Sequence, residues 1–162
     1  MPSFAIDGLA ALKNKLRAAI PNARKEVKTE LYQFSEEVMT ESKQRVPVLT
    51  GTLMSTGHVG RRSAPGEGVA EGPPYEDGES ICIDLGYGGP AAKYALYVHE
   101  ALEGARAPSP NWSWTKAVAA GKEINWTRPS SGPKYLENPL KEKQDTLAPR
   151  LRDAAMRGFK QG

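Results

Sequence analysis

The stretch that decides the fold is ARKEVKTELYQFSEEVMTESKQRV, residues 23–46. Four large apolar residues recur in it at spacings of four, three and four: Val27, Leu31, Phe34 and Val38. This spacing places them on one face of a helix, with charged side chains on the others. Pro47 follows and cannot continue the helix. We therefore predict a long amphipathic helix over 23–46 that packs through its apolar face onto a sheet.

A shorter helix is predicted before this one, over residues 4–20. Pro21 is expected to stop or bend it, and Asn22 is then placed to cap the helix over 23–46. The apolar stripe of the first helix has spacings of three and four: Ile6, Leu9, Leu12, Leu16 and Ile20.

The C-terminal part of the chain predicts a third helix. Asn138-Pro139 is suited to open it, because proline is favoured at the first helical position. We expect Pro149 to kink or split the helix and Gly158 to end it. Its apolar stripe consists of Leu140, Leu147, Leu151, Ala154 and Ala155.

The middle of the chain has the composition of strands and a loop. Residues 52–59 follow a turn at Thr50-Gly51 and predict a strand, and residues 80–87 alternate apolar and polar positions as a second strand. Residues 63–79 hold four Gly and three Pro, which predicts a long flexible loop. Residues 94–100 fit either a strand or a short helix. The whole pattern predicts a single α+β domain over 1–162, with the long N-terminal helix and the C-terminal helix packed on a small, mostly antiparallel sheet.

Composition restricts the class of protein. The chain has 162 residues with a mean hydropathy of −0.54, and its sequence contains no long apolar run, so we expect no transmembrane helix and no membrane partner. One cysteine, Cys82, cannot form an internal disulfide, and residues 1–4 do not begin a secretory signal, which together predict synthesis in the cytoplasm.

Charge is distributed unevenly along the chain. Residues 1–62 hold ten basic and six acidic side chains, residues 63–103 hold one and eight, and residues 104–162 hold eleven and five, within a formal net charge of +3. Basic ends around an acidic middle suit head-to-tail contact between copies, although an uneven solvated surface explains the pattern equally well.

Candidate reactive residues do not have a recurring catalytic or ligand spacing. A metal site could be assembled on paper from His58, Cys82, Asp84 and His99, and a thiol–imidazole pair from Cys82 and His99. Neither set contains a motif such as Cys-x-x-Cys or His-Glu-x-x-His. We therefore expect no catalytic centre, no metal and no cofactor.

A tryptophan-rich basic segment at 104–135 supports a different hypothesis. Aromatic and basic side chains together can form a stacking platform for nucleic acid, but tryptophans are more often anchors in a core or a subunit interface. A nucleic-acid-binding module is thus the alternative function. The residues that suggest it are Trp112, Trp114, Trp126, Lys116, Lys122, Arg128 and Lys134.

Three segments in this order resemble a known family, the neck or tail-completion proteins of tailed bacteriophages. The first is SKQRVPVLTGTL at 42–53, the second is YALYVHE at 94–100, and the third is YLENPL at 135–140. The chain departs from the family in having Met54 where a basic residue is common, and in the sequence that follows Glu100. These departures concern the exact position in the neck more than the fold.

The resemblance implies a non-enzymatic virion protein that forms a ring between the DNA-filled head and the tail and continues the DNA channel. A hexamer is favoured, with a dodecamer as the alternative. Its partners would be the adjacent adaptor or stopper proteins, the tail-tube protein and, non-specifically, the packaged double-stranded DNA. The protein would be made in the bacterial cytoplasm and reside at the head–tail neck.

Two sets of residues are candidate contacts in such a ring. Large aromatic side chains are the expected interface anchors: Trp112, Trp114, Trp126, Tyr94 and Tyr97. The acidic residues of the 63–79 segment would either face the channel, where they would repel DNA, or order against a neighbouring subunit. They are Glu67, Glu71, Glu76, Asp77 and Glu79.

Overall fold

The computed structural model describes residues 9–47, 51–62, 64, 67–90, 92–93, 95–100 and 131–161. Within these ranges the helices are α1 (Leu9–Arg45), α2 (Thr52–Ser55), α3 (Ala95–Glu100) and α4 (Glu137–Lys160). The strands are β1 (His58–Arg62), β2 (Val69–Glu71), β3 (Tyr75–Asp77), β4 (Ser80–Cys82) and β5 (Asp84–Gly86). The fold is α+β, as the sequence predicts. None of the described helices is both long and apolar enough to cross a lipid bilayer.

The two long helices pack against each other in antiparallel orientation. Near one end of the pair Arg45 of α1 bonds to Glu142 of α4, and near the other end Gly158 lies against the backbone of Ala23. Phe34 is only 2% exposed and Val38 is fully buried. The apolar face of α1 thus contacts the sheet through β1, as predicted, and has α4 as its larger partner, which the prediction for this face did not name.

A three-stranded antiparallel sheet lies beside α1 in the order β2-β1-β5. Gly60 pairs with Glu71 on one side of β1, and His58 pairs with Gly86 on the other. Gly60 has a φ of 157° and lies so close to Ala70 that a side chain would meet its carbonyl oxygen. Strands β3 and β4 form a separate hairpin whose turn contains Gly78 at a φ of 61°.

The prolines of both long helices lie inside them, which corrects a stop at Pro21 and a split at Pro149, while a bend or kink at either proline stays a prediction. Helix α1 continues through Pro21, so that Asn22 is not a cap, and α4 continues through Pro149. Gly158 does not end α4; it is buried within it. A proline in a helix removes one backbone hydrogen bond, and the contact between Ala23 and Gly158 holds α1 in place just after Pro21.

The predicted strands and loop are wrong in several places. Residues 52–55 form a helical turn, and the strand begins later, at His58. The 63–79 segment contains strands β2 and β3, so it is not an irregular loop throughout, while its flexibility stays a prediction. The strand predicted over 80–87 is divided at Ile83 into β4 and β5, which belong to different sheets. The ambiguous segment 94–100 is helical from Ala95 to Glu100.

Candidate functional site

The three family-like segments meet in one hydrophobic cluster. The first contributes Val46 and Leu53, the second contributes Ala95 and Val98, and the third contributes Tyr135; all five are at most 6% exposed. These residues are separated by up to 89 positions in sequence, yet they share a single core. The three segments, which are far apart in the sequence, therefore lie together at one place in the fold.

Backbone and hydroxyl hydrogen bonds lock the second and third segments together. The Tyr135 hydroxyl donates to the Ala95 carbonyl oxygen at 2.9 Å, and the Lys134 amide donates to the His99 carbonyl oxygen at 2.8 Å. The Gly132 amide donates to the Arg45 carbonyl oxygen at 3.1 Å, at the end of α1. Because these bonds join residues far apart in the chain, they fix the relative positions of α1, α3 and the start of α4.

Three rings surround this junction. Tyr135 contacts Tyr87 and His99 edge to face, each with ring centroids 5.0 Å apart. Burial raises the pKa of Tyr87 to about 12, and its hydroxyl donates to the buried Ser42 hydroxyl at 2.9 Å. The hydroxyl groups of Tyr87 and Tyr135 thus bond to partners within the fold.

An ion cluster lies at the surface of the junction. Lys134 bonds to the carboxylates of Glu100 and Glu137, and Lys141 bonds to Glu137. The hydrogen bonds from Lys141 and Lys134 lower the pKa of Glu137 to about 2. The hydrogen bonds from Lys134 and His99 also lower the pKa of Glu100. Both carboxylates are thus held ionised by neighbouring cations.

The same cluster contains the three potential metal ligands that the described residues bring together. His99, Glu100 and Glu137 have ligand atoms within 4.8 Å of one another. The ammonium group of Lys134 already bonds to both carboxylates. The Nδ1 atom of His99 lies 2.8 Å from Glu100. The arrangement is therefore a salt-bridge network, in which a metal ion would have to displace a lysine.

The structure does not bring together the residues from which the sequence could build a metal site or a thiol–imidazole pair. His58, Cys82, Asp84 and His99 all lie in described parts of the chain, and they do not form a group of neighbouring ligand atoms. The carboxylate of Asp84 instead accepts hydrogen bonds from the Arg62 amide at 2.9 Å and from a tyrosine hydroxyl at 3.1 Å. Strand β4 carries Cys82, whereas His99 lies on α3 beside Tyr135.

The acidic residues of 67–79 are exposed on and between the short strands. Glu76 is paired within the chain: its carboxylate lies 2.7 Å from Lys28 and 3.4 Å from Arg24 of α1. The Lys28 hydrogen bond lowers the pKa of Glu76. Glu71 lies 4.0 Å from His58. The side chains of Glu67, Asp77 and Glu79 form no ion pair with the described residues.

The predicted aromatic anchors cannot be placed. Trp112, Trp114, Trp126 and Tyr94 lie outside the described residues, as does the side chain of Tyr97, whose backbone belongs to α3. Their role in an interface stays a prediction, and the same holds for the nucleic-acid hypothesis over 104–135.

Sequence reasoning missed an apolar surface at the free end of the helix pair. Large side chains there are about half exposed: Leu12 55%, Leu16 50%, Ile20 48%, Met156 52% and Phe159 42%. The periodicity placed the first three in an apolar helical stripe and did not show whether that stripe is covered. A signal was present in the sequence, because residues 9–25 contain five basic side chains and no acidic one, which is unusual for a helix that packs against the basic α4.

Comparison with known proteins gives no relative. No family model, no curated protein and no solved structure matches this chain.

Proposed function

We propose that this protein is a structural subunit of a ring that joins the DNA-filled head of a tailed phage to its tail. The observation that supports the proposal best is the convergence of the three family-like segments in one core. Their contact indicates that they act together to set the geometry of one junction.

The chemistry of that junction agrees with a structural role. Three of its polar pairs are used in internal bonds: Tyr135 to Ala95, Lys134 to Glu100, and Tyr87 to Ser42. A nucleophile or general base needs a partner-controlled reactive atom that faces a substrate, and these groups face one another. A ring subunit instead needs a junction of fixed geometry in order to repeat the same angle between neighbours.

The proposed assembly has closed rotational symmetry, with a hexamer favoured and a dodecamer as the alternative. Its faces would contact the adaptor or stopper proteins and the tail-tube protein, and its lumen would continue the DNA channel. The protein would then be located in the virion at the head–tail neck.

Deletion of the gene in its phage is the direct test. We expect DNA-filled heads and complete tails that fail to join, with joining restored when the chain is supplied in trans. Cys82→Ser and His99→Ala should also restore joining, because no chemical step depends on them. Infectious, fully joined particles in the deletion strain would contradict the proposal. So would a folded His99→Ala protein that assembles normally and loses a chemical activity.

A further inference from the structure

Helix α1 is longer than its partner, and its free end continues the face that α4 covers. Gly158, near the end of α4, lies against Ala23. Stepping back from Ala23 along α1 at helical spacing leads through Ala19 to Leu16 and Leu12, on the same face. Ala19 is still 5% exposed, whereas Leu16 and Leu12 are 50% and 55% exposed. The apolar stripe therefore extends beyond the helix that buries it.

The charge of the free end indicates what does cover it. Residues 9–25 carry five basic side chains and no acidic ones, so two free ends packed on each other would bring like charges together. Residues 67–79 carry five acidic side chains and no basic ones. A pairing between these two regions already exists within the chain, where Arg24 lies 3.4 Å from Glu76.

We propose that the free end of α1 docks onto the acidic β2–β4 surface of a second copy of this chain. Leu12 and Leu16 supply the apolar contact, against the exposed Pro73 and the open edge of the half-buried Tyr75, whose ring face is covered by Arg61 at 4.7 Å. Lys13, Lys15 and Arg17 face Asp77 and Glu79, which form no ion pair with the described residues, and Glu71, whose nearest cationic partner is His58 at 4.0 Å. The two contacting surfaces are different parts of one chain, so the contact is head-to-tail and generates a ring when it closes. The inference rests on the proposed function in taking the partner to be a ring neighbour, and it assigns the acidic residues to that neighbour instead of the channel.

A charge-reversal experiment tests the contact. One variant reverses the helix end (Lys13→Glu, Lys15→Glu, Arg17→Glu), and the other reverses the strands (Glu71→Lys, Asp77→Lys, Glu79→Lys). Each variant alone should remain monomeric at concentrations where the wild type assembles, as measured by mass photometry. Mixed together, the two should regain the wild-type mass with equal numbers of each, because every contact then joins opposite charges.

The apolar contact is tested separately. Leu12→Gln with Leu16→Gln should weaken self-association about tenfold to a hundredfold, and glutamine preserves the helix. The matched control is Leu96→Gln, since Leu96 is 72% exposed on α3 and lies outside the proposed contact; it should leave self-association unchanged.

Several outcomes would overturn the inference. Variants that assemble like the wild type, or a mixture that stays monomeric, would remove the contact while leaving the proposed function to the phage deletion test. A Leu12→Gln/Leu16→Gln protein that loses stability at unchanged mass would show that residues 1–8 cover the stripe. Binding of wild-type chain, but not of the helix-end variant, to a short DNA duplex at unchanged oligomer mass would assign the surface to nucleic acid. A wild-type chain that is monomeric at every concentration contradicts both the contact and the ring.

Discussion

The two halves of α1 belong to one continuous helix and one apolar stripe, yet they have opposite surroundings. In the half after Ala23, Phe34 is buried at 2% exposure, and Glu37 and Glu30 bond to Arg150 of α4 at 2.8 and 2.7 Å. In the half before it, Leu16 is 50% exposed. The difference arises because α4 ends opposite Ala23, and the charge of α1 changes from acidic to basic at the same place. Periodicity thus identifies a face that needs a partner, and charge indicates whether that partner is in the same chain.

The largest expected effect contrasts one residue from each half. Phe34→Ala should destabilise the monomer by about 3–5 kcal/mol, because it leaves a cavity in the contact between α1 and α4. Leu16→Ala should change the stability by less than about 0.5 kcal/mol, because the side chain is half exposed. Urea denaturation followed by circular dichroism at low protein concentration measures both. Equal losses would mean that the free end is buried within the monomer.

The boundary between the halves should also be sensitive to a single methyl group. A Cβ on Gly158 would lie 2.4 Å from the Cα atom of Ala23, so Gly158→Ala should push the helices apart and cost about 1–3 kcal/mol. Gly72→Ala is the control, because a Cβ there meets nothing within 4 Å. Thermal unfolding compares the two. An unchanged or raised melting temperature for Gly158→Ala would show that the close approach is not rigid.

The salt bridges of Arg150 with Glu30 and Glu37 form an ionic seam between α1 and α4. This seam should contribute less to the free energy of unfolding than the apolar contacts between the same helices. Arg150→Ala removes the bonds to Glu37 and Glu30, and we expect a loss of about 1 kcal/mol because the pairs remain partly open to solvent. Arg152→Ala serves as the control, since Arg152 is 75% exposed and pairs only with the adjacent Asp153 among the described residues. The double-mutant cycle between Arg150 and Glu37 isolates the pair. A coupling energy near zero would show that the seam positions the helices without stabilising them.

The smallest expected effect is an acid dependence of the same seam. Hydrogen bonds from Arg150 lower the pKa of Glu37 below its ordinary value of 4.5. The stabilisation is therefore complete above about pH 4.5 and is lost as the pH falls through the lower value that Glu37 has in the folded state. Glu37→Gln should flatten this part of the stability–pH curve in urea denaturation between pH 6 and pH 2. A variant curve parallel to that of the wild type would contradict the assignment.

The helices of the fold were largely predictable, because a long apolar stripe with helical spacing, such as that of α1, is typical of an amphipathic helix. The continuity of α1 through Pro21 was not predictable, because an internal proline has a local cost. Gly158 of α4 packs against Ala23 just after this proline, and that contact is not visible in the local sequence. Periodicity also could not identify α4 as the main partner of α1, because a stripe specifies only that it must be covered.

The strands and the site were predictable in part. Segments of three residues, such as β2 and β3, are too short to show an alternating pattern, and their glycines and prolines favoured a loop. The family-like motifs were visible in the sequence, but their meeting in one core depends on contacts between residues as distant as Val46 and Tyr135. The exposure of Leu12 and Leu16 could not be predicted, because an apolar stripe has the same sequence pattern whether its partner belongs to the same chain or to a second copy.

The native mass of the purified protein tests the central claim most directly. Native mass spectrometry at increasing concentration, with images of the same sample by electron microscopy, gives both copy number and symmetry. We expect a closed ring, of six copies by preference or twelve, that dissociates when Leu12 and Leu16 are replaced by glutamine. A chain that remains a monomer, or a symmetric dimer held through its free helix ends, would contradict the account.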